Sequence, residues 1–104
     1  MPLDLASLNL MRGFAAAFLS KNFPLHSLVN NAGVMNTLHR NTVEGFELQF
    51  GTNHLGHFLL TELLLPTLKA SATSRVMNVS GCFHDLAMKR EGKIDFSDLS
   101  VKER

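Results

Sequence analysis

Tyrosine and tryptophan are absent from the sequence, and eight phenylalanines supply all of its aromatic side chains. Without tyrosine, the 104 residues contain no phenol that could exchange a proton with a substrate. The single cysteine, Cys82, excludes an internal disulfide framework and is typical of a reducing compartment.

Charged clusters and long hydrophobic runs are also scarce. The formal net charge is +1, and the one basic pair that stands out is Lys89–Arg90, so nucleic acid is not expected as a partner. The most apolar window, residues 57–68, is too short for a membrane span. The N-terminus shows no secretory signal. Length and an apolar content of 45% indicate one globular domain, or part of one.

The pattern of apolar residues predicts two helices. Ser7 is a plausible N-cap for a helix over 7–21, which Pro24 ends. A second helical pattern covers 42–70, with Asn41 or Thr42 as its cap and Glu44 in capping-box position. We expect a bend or break of this helix near residues 52–53, where polar residues and glycines weaken the pattern.

Two short strands flank the second helix. Residues 26–31 and 75–80 are almost continuously apolar at their centres, which favours a parallel sheet buried on both faces. The order strand, helix, strand predicts a βαβ unit and hence an α/β fold. Units of this kind form Rossmann-like sheets, which bind dinucleotides at the carboxyl ends of their strands.

Two motifs carry the most information about function. Asn30-Asn31-Ala32-Gly33 ends the first strand, and Asn53-His54-Leu55-Gly56-His57-Phe58 follows at a fixed distance. With them the chain resembles the short-chain dehydrogenase/reductases, in particular the retinol-dehydrogenase-like branch. Further matching stretches are residues 3–7, 24–26, 34–35, 45–47, 59–61, 74–76 and 92–99.

The resemblance implies an incomplete Rossmann-like three-layer sandwich, with residues 1–104 forming a partial dinucleotide-binding domain. It implies that Asp4 contacts the adenine ring of NADP (or NAD), and that Asn31, Ala32 and Gly33 line the adenosine ribose. It also implies that Asn53 is the catalytic asparagine, whose backbone carbonyl holds a water in a proton relay. No metal is implied.

The sequence departs from the family pattern in three places. The glycine-rich phosphate loop of the family belongs before residue 1, and the Tyr-x-x-x-Lys pair belongs after residue 104. The catalytic serine of the family corresponds to Gly81, whereas Ser80 is one residue early and is expected to point away from the site. We therefore expect a core fragment, the product of a truncated or decayed gene, or an incomplete copy of a longer enzyme.

Simpler interpretations remain open for several of these residues. Asp4 could be only a turn residue, and Asn30 and Asn31 could serve only to tie strands together. His54 and His57 share a helix face, but no carboxylate or cysteine is placed to complete a metal site. The leucines at 63–65 are either core or part of a subunit interface.

The resemblance implies an oxidoreductase that interconverts an alcohol and a carbonyl on a retinoid-like or other lipophilic substrate, inactive as this fragment. The alternative is a non-catalytic interaction module that pairs through helix 42–70 with a full-length relative. A homo- or heterodimer through the same helix is also left open. An intracellular location, cytoplasmic or associated with the endoplasmic reticulum, is expected.

Overall fold

A helix, a strand, a helical region and a second strand follow one another in the computed structural model, which describes residues 2–35, 37–82 and 96–99. The first two elements are α1 (Leu8–Ser20) and β1 (Ser27–Asn30). The helical region comprises α2 (Leu48–Phe50), a π-helical turn (Gly51–Gly56) and α3 (His57–Ala70), and β2 (Arg75–Asn78) follows. This order confirms the predicted α/β fold.

The two strands lie side by side and run parallel. Ser27 is paired with Arg75 and Asn30 with Asn78. The ladder continues past the strand's carboxyl end, where the amide of Val79 donates to the carbonyl of Asn30 at 3.0 Å. Parallel strands need a crossover, and the helical region between them provides it. The predicted βαβ unit is therefore confirmed, with each strand slightly shorter than predicted.

Helix α1 begins where the sequence predicted. The Ser7 hydroxyl accepts a hydrogen bond from the Leu10 amide at 3.3 Å, as an N-cap does. The Leu8 amide donates to Glu44 Oε2 at 3.1 Å, so a residue far along the chain satisfies a second free N–H group. The helix is capped at Lys21, and Asn22 then takes a left-handed φ of 54°.

The predicted start of the second helix is wrong. The helix begins only at Leu48, because the Glu47 carboxylate caps it by accepting from Gln49 and Phe50 amides at 2.8 and 3.0 Å. The expected capping box fails because Glu44 instead caps α1. Thr42 lies in a turn, in which its hydroxyl accepts from the Phe46 amide at 3.1 Å.

The irregularity predicted near residues 52–53 is present, but as a π-helical turn rather than a break. The backbone stays helical on both sides, with φ and ψ of −63° and −46° at Phe50 and −61° and −48° at Gly56. Gly56 is required here by close approach, since a Cβ atom would lie 2.7 Å from the Leu5 carbonyl oxygen. Single π turns of this kind occur frequently at functional sites.

The hydrophobic core lies between α1 and α3. Met11 and Ala15 of α1 pack with Leu60 and Leu64 of α3, and all four are buried. Leu28 of β1 packs against the same cluster, so α3 joins the first helix to the sheet. At the far end of α3, the Leu25 amide donates to Ser71 Oγ at 2.9 Å and ties the start of β1 to the helix end.

The opposite face of the sheet does not have the burial that the sequence predicted. Val29, Met77 and Val79 are 50%, 47% and 57% exposed. The described residues provide helices for the other face alone, so the third layer of the expected sandwich is not formed within them. No helix in the described ranges is both long enough and apolar enough to cross a bilayer.

Candidate cofactor-binding site

The carboxyl ends of β1 and β2 meet at one edge of the sheet, because the two strands are parallel. The segment Asn31–Gly33 leaves β1 at this edge, and all three of its residues are exposed. Ligands of open α/β sheets bind outside this end of the strands. The structure therefore places the predicted cofactor segment where a dinucleotide has access to its backbone.

Asn30 ties three elements together beneath this segment. Its side chain is 5% exposed. Its Nδ2 atom donates to Asn78 Oδ1 at 2.8 Å and to Thr61 Oγ1 at 3.0 Å. The strand-tying role that the sequence left open for two asparagines belongs to Asn30, whereas Asn31 is exposed beside it.

Asn53 holds the chain directly after the cofactor segment. Its Nδ2 atom donates to the Val34 carbonyl at 2.8 Å, and its Oδ1 atom accepts from the Val34 amide at 2.8 Å. The pair of bonds fixes the side-chain amide, because each of its ends has one matching partner. A Cβ atom at Gly33 would lie 3.1 Å from Asn53 Oδ1, so a larger residue would crowd the bonded amide.

His57 makes a second link between the same helical region and the segment. Its Nε2 atom lies 2.7 Å from the carbonyl oxygen of Ala32. A carbonyl oxygen only accepts, so Nε2 carries the hydrogen and donates it. Sequence reasoning missed this role, because it considered His57 only together with His54 as a metal pair. The signal available was spacing, since His57 follows Asn53 by one helical turn.

No metal centre is built around these histidines in the part of the chain that the structure describes. Groups of three or more histidine, cysteine, aspartate or glutamate side chains that could hold an ion do not occur there. The nearest ring contact of His54 is with Phe50, at a centroid distance of 5.4 Å.

Asp4 forms the turn that leads into α1. Its Oδ1 atom accepts from the Ala6 amide at 2.9 Å, and its carbonyl accepts from the Ser7 amide at 3.0 Å. The next residue, Leu5, packs its carbonyl close to Gly56 in the π-helical turn. Asp4 thus has the turn role that the sequence left open, and its contact with adenine stays a prediction.

A groove of about 420 Å³ lies between α3 and the carboxyl end of β2. Its volume is within the range of small-molecule sites. The residues that line it include Asn30, Asn53, Phe58, Asn78 and Ser80.

Ser80 lies beside the groove that Asn53 lines, but so does Val79 of the opposite sheet face, so the orientation expected for the Ser80 side chain stays a prediction.

A comparison with family models decides what kind of protein this is. The model described as short chain dehydrogenase matches residues 1–88, which is most of the chain. The chain belongs to the short-chain dehydrogenase family. Membership implies a nicotinamide dinucleotide as cofactor and a small alcohol or carbonyl compound as substrate of the family in general.

Similar curated proteins are retinol dehydrogenases. The chain is 53% identical to human retinol dehydrogenase 13 over 102 residues, covering 98% of this chain and 29% of the relative. It is 50% identical to human retinol dehydrogenase 12, with 98% and 31% covered. Mouse retinol dehydrogenase 14 is 48% identical, with 97% and 29% covered. The chain therefore spans about three tenths of the length of these relatives and falls in the retinol-dehydrogenase-like branch.

A solved structure supports the fold. The crystal structure of an uncharacterized protein from Mycobacterium paratuberculosis superposes with a TM-score of 0.76 at 44% identity. The superposition covers 98% of this chain and 33% of the solved chain.

One stretch that resembles the dehydrogenases in sequence, residues 92–99, is described only in part, because residues 92–95 lie outside the described ranges.

Gly81 is assigned from the sequence to the position of the catalytic serine of the dehydrogenases, and this assignment stays a prediction. Gly81 is exposed, and a Cβ atom built on it would meet nothing within 4 Å. A serine would therefore fit without displacing a neighbour. Within the described residues, neither close packing nor any other contact explains the glycine.

Proposed function

We propose that this chain is the central part of an NAD(P)-dependent oxidoreductase that interconverts an alcohol and a carbonyl on a retinoid-like or other lipophilic substrate. NADP is the proposed cofactor. The observation that carries the proposal is the double hydrogen bond from Asn53 to Val34, which fixes the exposed segment Asn31–Gly33 at the carboxyl end of β1. The names of the similar retinol dehydrogenases support the substrate class.

The residues present suit the adenosine side of a dinucleotide. The segment exposes backbone next to Gly33, so a flat ring or a ribose has room to approach closely. Asn53 holds this backbone in one conformation, which removes part of the entropy that binding would otherwise lose. When bound, the nicotinamide supplies hydride transfer. We propose that the backbone carbonyl of Asn53 holds a water that relays the proton.

The 104-residue chain is proposed to have no measurable dehydrogenase activity by itself. No tyrosine occurs in it to act as acid or base, and the pattern Gly-x-x-x-Gly-x-Gly does not occur either. A helix N-terminus preceded by such a loop is what binds the pyrophosphate in Rossmann folds. Gly81 supplies no hydroxyl for a substrate carbonyl.

Two measurements test the proposal together. NADP titrated into the ¹⁵N-labelled chain should shift the backbone amides of residues 31–34 saturably, while those of 62–70 stay in place. The same preparation, given NADPH and retinal, should show no retinal-dependent oxidation of NADPH. A flat titration would overturn the cofactor role, and a retinal-dependent rate would overturn the proposed inactivity.

Location is a further part of the proposal. We propose an intracellular site, either cytoplasmic or associated with the endoplasmic reticulum, on the basis of the single, exposed and unpaired Cys82. Fractionation of cells that express the native protein tests this. Recovery from the culture medium would contradict it.

A second candidate function is a non-catalytic module that pairs through helix α3 with a full-length relative. One observation favours it: Phe58 on α3 is 62% exposed, although it is a large apolar side chain. Exposed aromatic residues of this kind often anchor interfaces. Leu63, which the sequence left open between core and interface, is half-buried and packs against the core cluster.

The pairing candidate is tested with Phe58→Asp. Binding of the wild-type chain to a purified full-length retinol dehydrogenase, measured by calorimetry, should be lost in this variant. Val43→Asp is the matched control, because Val43 is 76% exposed and lies outside the helix. Absence of binding by the wild-type chain, or equal binding by Phe58→Asp, would remove the candidate.

A further inference from the structure

The loop after β1 is held at two points by one stretch of helix. Asn53 bonds both polar backbone groups of Val34, and His57 bonds the carbonyl of Ala32. The two anchors lie on either side of Gly33. Among the described residues, His57 is therefore the side chain that fixes the middle of the proposed cofactor segment.

We propose that His57 is a positioning residue for the cofactor: it holds the Ala32 carbonyl and thereby presents the segment Asn31–Gly33 in the conformation that binds the dinucleotide. This inference rests on the proposed cofactor function. It adds a residue that acts on binding through the backbone of the segment and not by touching the reacting atoms.

Within the described residues, strand pairing does not hold the backbone of the segment Asn31–Gly33, so side chains have to fix it. The segment lies outside the strand ladder, and its residues are exposed. Glycine loses more conformational freedom on ordering than other residues, so Gly33 makes an unanchored loop mobile. Holding Ala32 and Val34 before the ligand arrives moves this ordering from the binding step to folding.

The geometry of the imidazole favours one tautomer. Nε2 must carry hydrogen to donate to Ala32, while Nδ1 is buried and has no hydrogen-bond partner within the described residues. A hydrogen moved from Nε2 to Nδ1 would leave an unpaired donor in the interior and break the bond to Ala32. The imidazole of His57 therefore donates its one hydrogen bond, from Nε2, to the carbonyl oxygen of Ala32.

Substitutions at position 57 separate positioning from general stability. His57→Leu removes the donor and keeps an apolar side chain in the helix. His57→Gln keeps an N–H donor at a similar distance from the backbone, so it should restore the bond to Ala32. His26→Leu is the matched control, because the exposed His26 side chain lies before the amino end of β1, away from the segment.

The NADP dissociation constant is measured for the four chains by amide shift titration, and unfolding is measured in urea. We expect His57→Leu to raise the dissociation constant about two- to tenfold, the size of one net hydrogen bond. We expect His57→Gln and His26→Leu to stay within about twofold of wild type. The Gly33 amide should exchange with solvent faster in His57→Leu alone.

The outcomes separate the positioning role of His57 from the cofactor function. If wild type binds NADP and His57→Leu binds equally well, the positioning role is wrong and the cofactor function stands. If His57→Gln is as impaired as His57→Leu, the hydrogen bond is not the cause and the inference is also wrong. If wild type does not bind NADP at any concentration reached, both the cofactor function and the inference that rests on it are overturned.

Discussion

Gly56 gives the sharpest prediction about the fold, because two effects of opposite sign meet there. Alanine is favoured over glycine inside a helix by about 1 kcal/mol. By that rule alone, Gly56→Ala should stabilise the chain. In the structure, however, the added Cβ would lie 2.7 Å from the Leu5 carbonyl oxygen and 3.1 Å from the Leu5 Cβ.

Steric overlap should win at this position. The atom in the way belongs to the backbone, which cannot rotate aside as a flexible side chain does. The turn before α1 would have to move away from the helix, and overpacking of this kind costs about 1–3 kcal/mol. We therefore expect Gly56→Ala to lower the free energy of unfolding by up to about 2 kcal/mol, because the gain of about 1 kcal/mol in helix propensity is subtracted from the overpacking cost.

Urea unfolding followed by circular dichroism measures this, with the midpoint and the m-value compared between chains. Gly13→Ala in α1 is the matched control, because a Cβ there would meet nothing within 4 Å. It should stabilise the chain by about 0.5–1 kcal/mol. If Gly56→Ala stabilises the chain as much as Gly13→Ala does, the close packing of the π-helical turn on Leu5 is refuted.

Three further predictions use the same assay. Asn30→Ala should lower the free energy of unfolding by about 1–3 kcal/mol, because it leaves the polar partners of a 5% exposed residue unpaired. Asn31→Ala on the exposed loop should change it by less than about 0.5 kcal/mol. Equal effects of the two substitutions would contradict the assigned roles. Met11→Ala, at a fully buried position, should cost about 2–5 kcal/mol and clearly more than Leu10→Ala, which is 42% exposed. Ser7→Ala should cost about 1 kcal/mol through the lost N-cap, and no loss would argue against that cap.

Local signals predicted the first helix well and the second one poorly. Ser7 caps α1 as expected, because an N-cap bond spans only three residues. Glu44 had an equally good local signal, but it caps α1 from a distance, and Glu47 starts α2 in its place. A sequence pattern does not reveal which helix end a carboxylate reaches when two are near.

For the sheet, the sequence predicted the pairing of the strands but not their burial. The apolar centres of both strands predicted parallel pairing correctly, yet Val29 and Met77 are about half exposed. The strands have the composition of a sheet covered on both faces, whereas the described residues cover one face. The composition of a strand indicates whether it suits a sheet covered on one face or on both. How much of the strand is buried depends on the elements that pack against it.

Part of the candidate site was predictable. The resemblance to the dehydrogenases pointed to Asn53 and to the segment Asn31–Gly33. In the structure, Asn53 forms hydrogen bonds with Val34, the residue directly after this segment. The contact of His57 with Ala32 was not predicted, because a side chain that bonds a backbone carbonyl leaves no motif of its own. The spacing of one helical turn between Asn53 and His57 is visible in the sequence, but it indicates a contact only once the loop is known to lie beside that helix face.

Saturation-transfer NMR of NADP with the 104-residue chain shows which part of the dinucleotide the segment Asn31–Gly33 contacts. We expect transfer to the protons of the adenine and its ribose, little transfer to the nicotinamide ring, and loss of the signal in Asn53→Leu. Equal transfer along the whole dinucleotide, or a signal that survives Asn53→Leu unchanged, would contradict the assignment of Asn31–Gly33 as the adenosine wall held in place by Asn53.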